Sequence, residues 1–128
     1  MTTVPLSRLP GRPCPIAASL ELVGERWALL VVREIAMGST RFSDIVRGTG
    51  APRDRIAARL KALEAAGVVR CETSPGGRRH TYGLTESGAD LIPALNALLA
   101  WGDRHAVAAD DPKRPARYRK LIKPDADA

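Results

Sequence analysis

The chain has 128 residues, of which 45% are hydrophobic and 27% charged, and its formal net charge is +6. This length allows one domain with a modest core and excludes most two-domain enzymes. Apolar runs are too short to cross a membrane and the first residues lack the apolar stretch of a signal peptide, so we expect a cytoplasmic protein without membrane contact.

The first third of the chain predicts an arm followed by two helices. Residues 1–13 contain three prolines and no periodic pattern, so we expect an irregular arm. The first helix is predicted to begin at Pro15, because proline suits the first helical position, and to end at Gly24. Apolar residues recur at helical spacing from Glu25 to Met37, which predicts a second helix.

The middle third predicts a helix-turn-helix. A helix of about two turns is expected in RFSDIVRG, residues 41–48. After a break, Pro52 opens PRDRIAARLKALEAAG, which has the most regular helical pattern of the chain, and Gly67 ends it. One stripe of this helix is expected to face the core, namely Ile56, Leu60 and Leu63.

The glycine-rich turn PGGRR has two alternative interpretations. A phosphate-binding loop requires GxxxxGK[ST] or GxGxxG between a strand and a helix, and neither pattern occurs. The flanking segments VVRCETS and HTYGL alternate loosely, so Gly76 and Gly77 are expected to supply the positive φ angles of a hairpin. A helix-turn-helix followed by a basic hairpin has the order of a winged helix, whose second helix enters the major groove of DNA.

The last part of the chain predicts one long helix and a tail. Thr85 is expected to cap a helix that continues to Ala106. Because Pro93 removes one backbone hydrogen bond, this helix should bend near Ala89 or Asp90. The domain is therefore predicted at 14–106, and 107–128 is predicted to be a flexible charged tail.

Basic residues concentrate in the helix-turn-helix and the hairpin. Residues 41–80 hold nine basic residues against four acidic ones, which is typical of a protein that binds a polyanion. Opposite the apolar stripe, small alanines beside arginines would let the helix approach double-stranded DNA closely. The predicted DNA-binding residues are Arg41, Arg53, Asp54, Arg55, Ala57, Ala58, Arg59, Lys61, Arg78 and Arg79.

The two cysteines have different settings. Cys14 directly precedes Pro15 at a predicted helix start, where the helix dipole favours a negative charge; the alternative is an unreactive cap residue. Cys71, in a predicted strand, is expected to face the core and to be inert. No CxxC spacing occurs, and His80 and His105 have no evident nucleophile partner, so we expect no enzyme activity, no metal site and no cofactor.

Several short motifs occur together in a characteristic order. They are Cys14-Pro15, GERW at 24–27, RFSDI at 41–45, RLKALEAAG at 59–67, Tyr82, LTESG at 84–88, Pro93 and Trp101-Gly102. In this order and spacing they resemble the HxlR-type family of bacterial winged-helix transcriptional regulators. The resemblance covers the chain from Cys14 to about Gly102. It implies a mainly α protein of the α+β class, a winged helix-turn-helix with a small β-hairpin wing and extra N- and C-terminal dimerisation helices.

The resemblance also implies partners and an effector. Members of this family are homodimers that bind palindromic operator DNA as repressors or activators, and they join through their first and last helices. Several sense oxidants or electrophiles through the cysteine that matches Cys14. The implied dimer interface consists of Ile16, Leu20, Leu91, Leu95, Leu98, Leu99 and Trp101.

Some positions depart from the family pattern and leave alternatives open. Members often carry serine where Pro52 stands and polar residues where Ala57 and Ala58 stand, so base recognition is expected to depend more on Arg53 and on operator shape. The turn SPGGRR is also shorter than the family's wings. Two alternatives are a regulator controlled by a small ligand at the dimer interface, with Cys14 only structural, and a winged-helix module that binds another protein.

Overall fold

A computed structural model describes residues 3–113 and 121. It has a mainly helical α+β fold with one antiparallel hairpin, as predicted. Its elements are α1 (Pro15–Val23), α2 (Ala28–Ala36), α3 (Phe42–Thr49), α4 (Arg53–Ala65), β1 (Val69–Thr73), β2 (His80–Leu84), α5 (Glu86–Ala89) and α6 (Ile92–His105).

The second helix begins three residues later than predicted, because Glu25 caps it from the preceding turn. The Glu25 carboxylate accepts a hydrogen bond from the backbone N–H of Trp27 at 2.9 Å, so residues 25–27 form a turn and α2 starts at Ala28. This cap supplies an acceptor to a backbone donor that the helix itself leaves without one. Trp27 packs against the core, and the guanidinium of Arg26 stacks on its ring.

A buried carboxylate joins α2 to the end of α3. Glu34 is buried and receives a hydrogen bond from Arg33 Nε at 2.9 Å, while Arg33 also donates to the backbone oxygen of Gly48 at 3.0 Å. A Cβ at Gly48 would overlap the Glu34 carboxylate, so a larger residue there would displace this side chain. The link fixes α3 against α2 and so helps to position the turn that leads to α4.

The hairpin pairs β1 and β2 in an antiparallel register that aligns Cys71 with Tyr82 and Thr73 with His80. Gly76 and Gly77 adopt φ angles of 93° and 71°, which confirms that the glycines supply turn geometry. The backbone N–H of Tyr82 also donates to the oxygen of Thr40 at 2.8 Å. The segment before α3 therefore pairs with the hairpin and holds it beside the helix-turn-helix.

The C-terminal helix is two helices and not one bent helix. α5 ends at Ala89, and α6 begins at Ile92 with Pro93 in its first turn. Proline lacks the N–H that a continuous helix needs here, but it suits the start of a new one, so the break replaces the bend. Thr85 caps α5 as predicted, since its hydroxyl accepts from the backbone N–H of Gly88 at 3.1 Å.

Both ends of the chain contain a feature that the sequence did not predict. The arm forms a short 3-10 helix at Leu6–Arg8. The predicted tail lies mostly outside the described residues, at 114–120 and 122–128. Leu121, however, packs against the core and exchanges two backbone hydrogen bonds with the Asn96 side chain, at 2.7 and 2.8 Å, so this tail residue is held against α6.

The core lies between α2, α3, α4 and the base of the hairpin. Its fully buried large side chains include Val31, Ile45, Ile56, Leu63 and Val69. Removing these side chains from water stabilises the fold by about 1.5–3 kcal/mol each. None of the helices in the described part of the chain has the length and apolar character that a membrane span requires.

Candidate nucleic-acid interface

The outer face of α4 carries most of the predicted DNA-binding residues. Ile56, Leu60 and Leu63 are buried, and the helix turns its exposed residues away from them. The exposed predicted residues of α4 are Arg53, Asp54, Arg55, Ala57, Ala58 and Lys61. The guanidinium carbon of Arg53 lies 4.9 Å from the ring centroid of Phe42, a cation–π contact that orients this side chain at the start of α4.

Some basic side chains of the described residues pair with a carboxylate and others do not. Arg33, Arg47, Arg59 and Arg70 each pair with a carboxylate. No carboxylate of the described residues lies within 4.0 Å of six exposed basic side chains, which are Arg41, Arg53, Arg55, Lys61, Arg78 and Arg79. Their charge is therefore not neutralised by the described carboxylates, and it lies along α3, α4 and the hairpin turn.

Arg59 does not belong to this exposed group, although the sequence placed it there. Its Nε lies 3.4 Å from Glu25 Oε2, and both side chains are only about one third exposed, at 32% and 33%. The same Glu25 oxygen caps the start of α2. Arg59 therefore faces the turn between α1 and α2 and not the exposed face of α4.

The hairpin presents Arg78 and Arg79 at its turn. Ser74 closes this turn by three hydrogen bonds: its oxygen accepts from Gly77 at 2.9 Å, its N–H donates to Arg79 O at 2.8 Å, and its hydroxyl accepts from Arg79 N–H at 3.1 Å. The backbone at the arginines is thus ordered while both side chains are exposed.

A shallow groove separates the outer face of α4 from the hairpin. Its volume is about 420 Å³, and its lining combines apolar side chains with one cation and one carboxylate. The lining residues are Phe42, Ala57, Ala58, Leu60, Lys61, Glu64 and Tyr82. Small alanines on one wall leave space beside α4 that a larger side chain would fill.

Comparison with known proteins assigns the family. The family model described as HxlR-like helix-turn-helix matches residues 22–110. The chain belongs to the HxlR-like helix-turn-helix family. The uncharacterized HTH-type transcriptional regulator Rv3095 of Mycobacterium tuberculosis is 39% identical over 104 residues, which are 80% of this chain and 66% of that relative. The chain thus spans slightly less than two thirds of that relative's length.

Solved structures of proteins named as transcription factors or regulators have a similar fold. The candidate transcription factor PA1607 superposes with a TM-score of 0.73 at 30% identity, over 86% of this chain and 80% of that one. The reduced form of the transcriptional regulator YodB from Bacillus subtilis gives a TM-score of 0.63 at 29% identity, over 76% of this chain and 98% of that one. YodB has also been solved after diamide treatment and with a quinone bound.

Cys14 lies at the N-cap of α1 in this HxlR-like chain. Its Sγ accepts a hydrogen bond from the backbone N–H of Ala17 at 3.5 Å, and the thiol is partly exposed and not in a disulfide. A sulfur at this position faces the backbone donors that open the helix. The N-cap contact agrees with a capping role, and whether the thiol is reactive or an unreactive cap residue stays a prediction.

The predicted dimer residues divide into an exposed set and a core set. Ile16 and Leu20 on α1 are 73% and 58% exposed, and Leu98 and Trp101 on α6 are 52% and 60% exposed. Leu95, by contrast, is buried in the core of its own chain, and Leu91 packs against that core, while Leu99 is half-buried. Only part of the predicted apolar face is therefore exposed, because Leu91 and Leu95 pack within the core of their own chain.

The hairpin brings a cysteine and a histidine into contact, which the sequence analysis did not predict. Cys71 was expected to face the core and His80 to lack a nucleophile partner, yet Cys71 Sγ is partly exposed and lies 3.7 Å from His80 Nδ1. The strand register is the signal that predicts this contact, because the turn aligns residues 71 and 73 with 82 and 80. No cluster of three metal-binding side chains occurs among the described residues.

Tyr82 lies next to Cys71 on the same face of the hairpin. Burial raises the pKa of its hydroxyl, and the neighbouring Cys71 and then Glu64 raise that pKa further by unfavourable charge and hydrogen-bond interactions. Tyr82 also lines the groove beside α4. The hydroxyl at the wall of the groove therefore stays protonated to a higher pH than an ordinary tyrosine does.

Proposed function

We propose that this protein is a DNA-binding transcriptional regulator that acts as a homodimer on palindromic operators. The observation that carries the proposal is that six exposed basic side chains lie along α3, α4 and the hairpin turn, none of them with a carboxylate partner among the described residues. Phosphates would neutralise these charges and release condensed counterions, which is the main source of affinity for DNA. Rv3095 and YodB are named transcriptional regulators, which supports the same role. A cytoplasmic location follows from a DNA partner.

In this proposal α4 enters the major groove. Ala57 and Ala58 have short side chains on its exposed face, so the helix can lie close to the base edges. Arg53 is oriented by its stacking on Phe42 and would donate to guanine, while Asp54 would accept from cytosine.

The hairpin and the start of α3 would contact the DNA backbone. Arg78 and Arg79 extend from the turn that Ser74 closes with hydrogen bonds. Arg41 is the N-cap residue of α3. The turn is short, so we assign it to phosphate contacts, which position the protein, and not to base recognition.

The homodimer is supported by the exposed apolar residues of the terminal helices. Ile16 and Leu20 are spaced by four residues on α1, and Leu98 and Trp101 by three on α6, so each pair lies on one face of its helix. Exposed apolar patches of this kind mark interaction sites. Two-fold pairing through them would place two α4 helices on two inverted half-sites.

Cys14 is the proposed effector site. Its thiol is partly exposed at the N-cap of α1, next to the proposed dimer face, so its oxidation or alkylation would alter the helix start that the dimer uses. YodB has been solved after diamide treatment and with a quinone bound, which supports this chemistry.

Selection from a random library of DNA duplexes tests the proposal. The immobilised protein is expected to enrich inverted half-sites separated by about one helical turn. Arg53→Ala should enrich a sequence relaxed at one position of each half-site. If the library remains random while the protein stays folded, a winged-helix module that binds another protein is the better account.

The role of Cys14 has its own test. In a Cys71→Ser background, operator release by diamide should be retained with Cys14 and lost when Cys14→Ser is added. If Cys14→Ser responds as the unmodified chain does, Cys14 is a structural cap and the effector acts elsewhere, for example as a ligand at the dimer interface.

A further inference from the structure

One face of the hairpin holds a cysteine, a histidine and a threonine in contact. Cys71 Sγ lies 3.7 Å from His80 Nδ1, and Thr73 Oγ1 lies 3.2 Å from the same nitrogen. Thr73 is the cross-strand partner of His80, and Cys71 is two residues away on the same face. The two contacts hold one edge of the imidazole beside the sulfur.

This arrangement has the parts that an activated thiol requires. The nucleophilic form of cysteine is the thiolate, and an imidazole within hydrogen-bond distance can take the proton as the sulfur reacts. Neither group is sequestered, since Cys71 is partly exposed and His80 is exposed. A small reagent can therefore reach the sulfur from solvent.

We propose that Cys71, with His80 as its proton acceptor, is a second electrophile-reactive thiol that takes α,β-unsaturated carbonyl compounds. The thiol proton moves to His80 Nδ1, and a sulfur electron pair forms a bond to the β-carbon of the acceptor. The π electrons of the C=C bond move to the enolate, which then takes a proton from His80 or water. The net change is addition of S–H across C=C, so no oxidant or reductant is needed.

The adduct would lie next to the proposed DNA surface. Cys71 is the cross-strand partner of Tyr82, and Tyr82 lines the groove between the hairpin and α4. A bulky group on Cys71 would therefore displace Tyr82 or enter that groove. The expected effect on DNA affinity rests on the proposed function, whereas formation of the adduct does not.

The test uses N-ethylmaleimide on the full chain with Cys14→Ser, which leaves Cys71 as the only thiol because the sequence has two cysteines. Intact mass against time gives the rate. We expect His80→Phe in this background to react at least about tenfold more slowly, as for loss of a general base. His105→Phe changes the other histidine, on α6, and should leave the rate unchanged.

Two further measurements separate proton transfer from structure. His80→Gln keeps hydrogen-bonding capacity but cannot take the proton, so it should react as slowly as His80→Phe; a rate equal to that of the parent would overturn the role of His80. Circular dichroism and the thermal midpoint confirm that each variant is folded. Equal rates for the parent and His80→Phe would overturn the site as a whole.

DNA binding is then measured before and after alkylation. An adduct on Cys71 should weaken operator binding about tenfold or more, the scale of losing one base contact. A parent that binds no DNA before alkylation contradicts the proposed function and leaves the adduct chemistry intact. Unchanged affinity after complete alkylation would overturn the position assigned to the adduct.

Discussion

Arg59 Nε and Glu25 Oε2 lie 3.4 Å apart, so one arginine of α4 pairs with a carboxylate of its own chain. Arg53, on the same helix, stacks on Phe42 and has no carboxylate partner among the described residues. The two side chains have equal charge and lie less than two turns apart. They are therefore a matched pair for separating groove contact from general positive charge.

Arg53→Ala is expected to lower operator affinity about tenfold or more, because it removes the proposed base contact. Arg59→Ala should change the affinity by less than about threefold, because its guanidinium pairs with Glu25 and faces the turn before α2 and not the exposed face of α4. Fluorescence anisotropy with a labelled duplex measures both. An equal loss in the two variants would show that α4 contributes only net charge.

Gly88→Ala is expected to lower the free energy of unfolding by about 1–3 kcal/mol. A Cβ at Gly88 would overlap the backbone oxygen of Val68, which cannot move away as a flexible side chain could. Gly102→Ala is the control, because its Cβ would meet nothing within 4 Å and alanine favours the helix by about 0.5–1 kcal/mol. Urea denaturation should therefore give opposite signs, and two losses of equal size would contradict the packing described for Gly88.

Leu20→Glu is expected to convert the proposed dimer to a monomer, because it introduces a charge into the apolar face of α1. Met37→Glu places the same charge on another exposed apolar residue, at the end of α2, and should leave the assembly unchanged. Sedimentation equilibrium distinguishes a mass of 13.7 kDa from twice that value. Dissociation in both variants, or in neither, would remove the support for the α1–α6 face.

Tyr82 is expected to titrate above its ordinary pKa of 10.0, since burial and the neighbouring Cys71 raise the pKa. A raised pKa in the folded state means that Tyr82 contributes stability fully below pH 10.0 and loses it as the pH rises through the raised value. The phenolate absorbance of the parent minus that of Tyr82→Phe gives this titration. A midpoint at or below 10.0 would contradict the burial described for the hydroxyl.

Local features of the fold were predictable from the sequence because they depend on neighbouring residues. Gly67 and Pro52 bound α4 within one residue of the prediction, and Thr85 caps α5 as its sequence position indicates. The glycines of the hairpin turn adopt positive φ for a steric reason that the sequence already contains. The interruption that Pro93 causes lies where the sequence predicts it. The predicted bend was wrong, because the missing N–H of proline is equally compatible with a bent helix and with the start of a new helix.

Contacts between distant segments were not predictable in the same way. Arg59 lies on the flank of α4, and only the packing of α4 against the start of α2 shows that Arg59 pairs with Glu25. Leu121 is held by Asn96, a contact for which a charged and proline-rich sequence gives no signal. The contact of Cys71 with His80 requires the exact strand register, which loose alternation leaves open.

Operator binding across a salt series is the measurement that tests DNA recognition most directly. The duplex enriched by selection and a shuffled duplex of equal length are titrated between about 50 and 200 mM salt. We predict tighter binding to the enriched duplex at every concentration, by about a thousandfold or more at physiological salt, and a steep loss of affinity as salt rises. Equal affinity for both duplexes, or affinity independent of salt, would contradict the assignment of α4 and the hairpin to DNA.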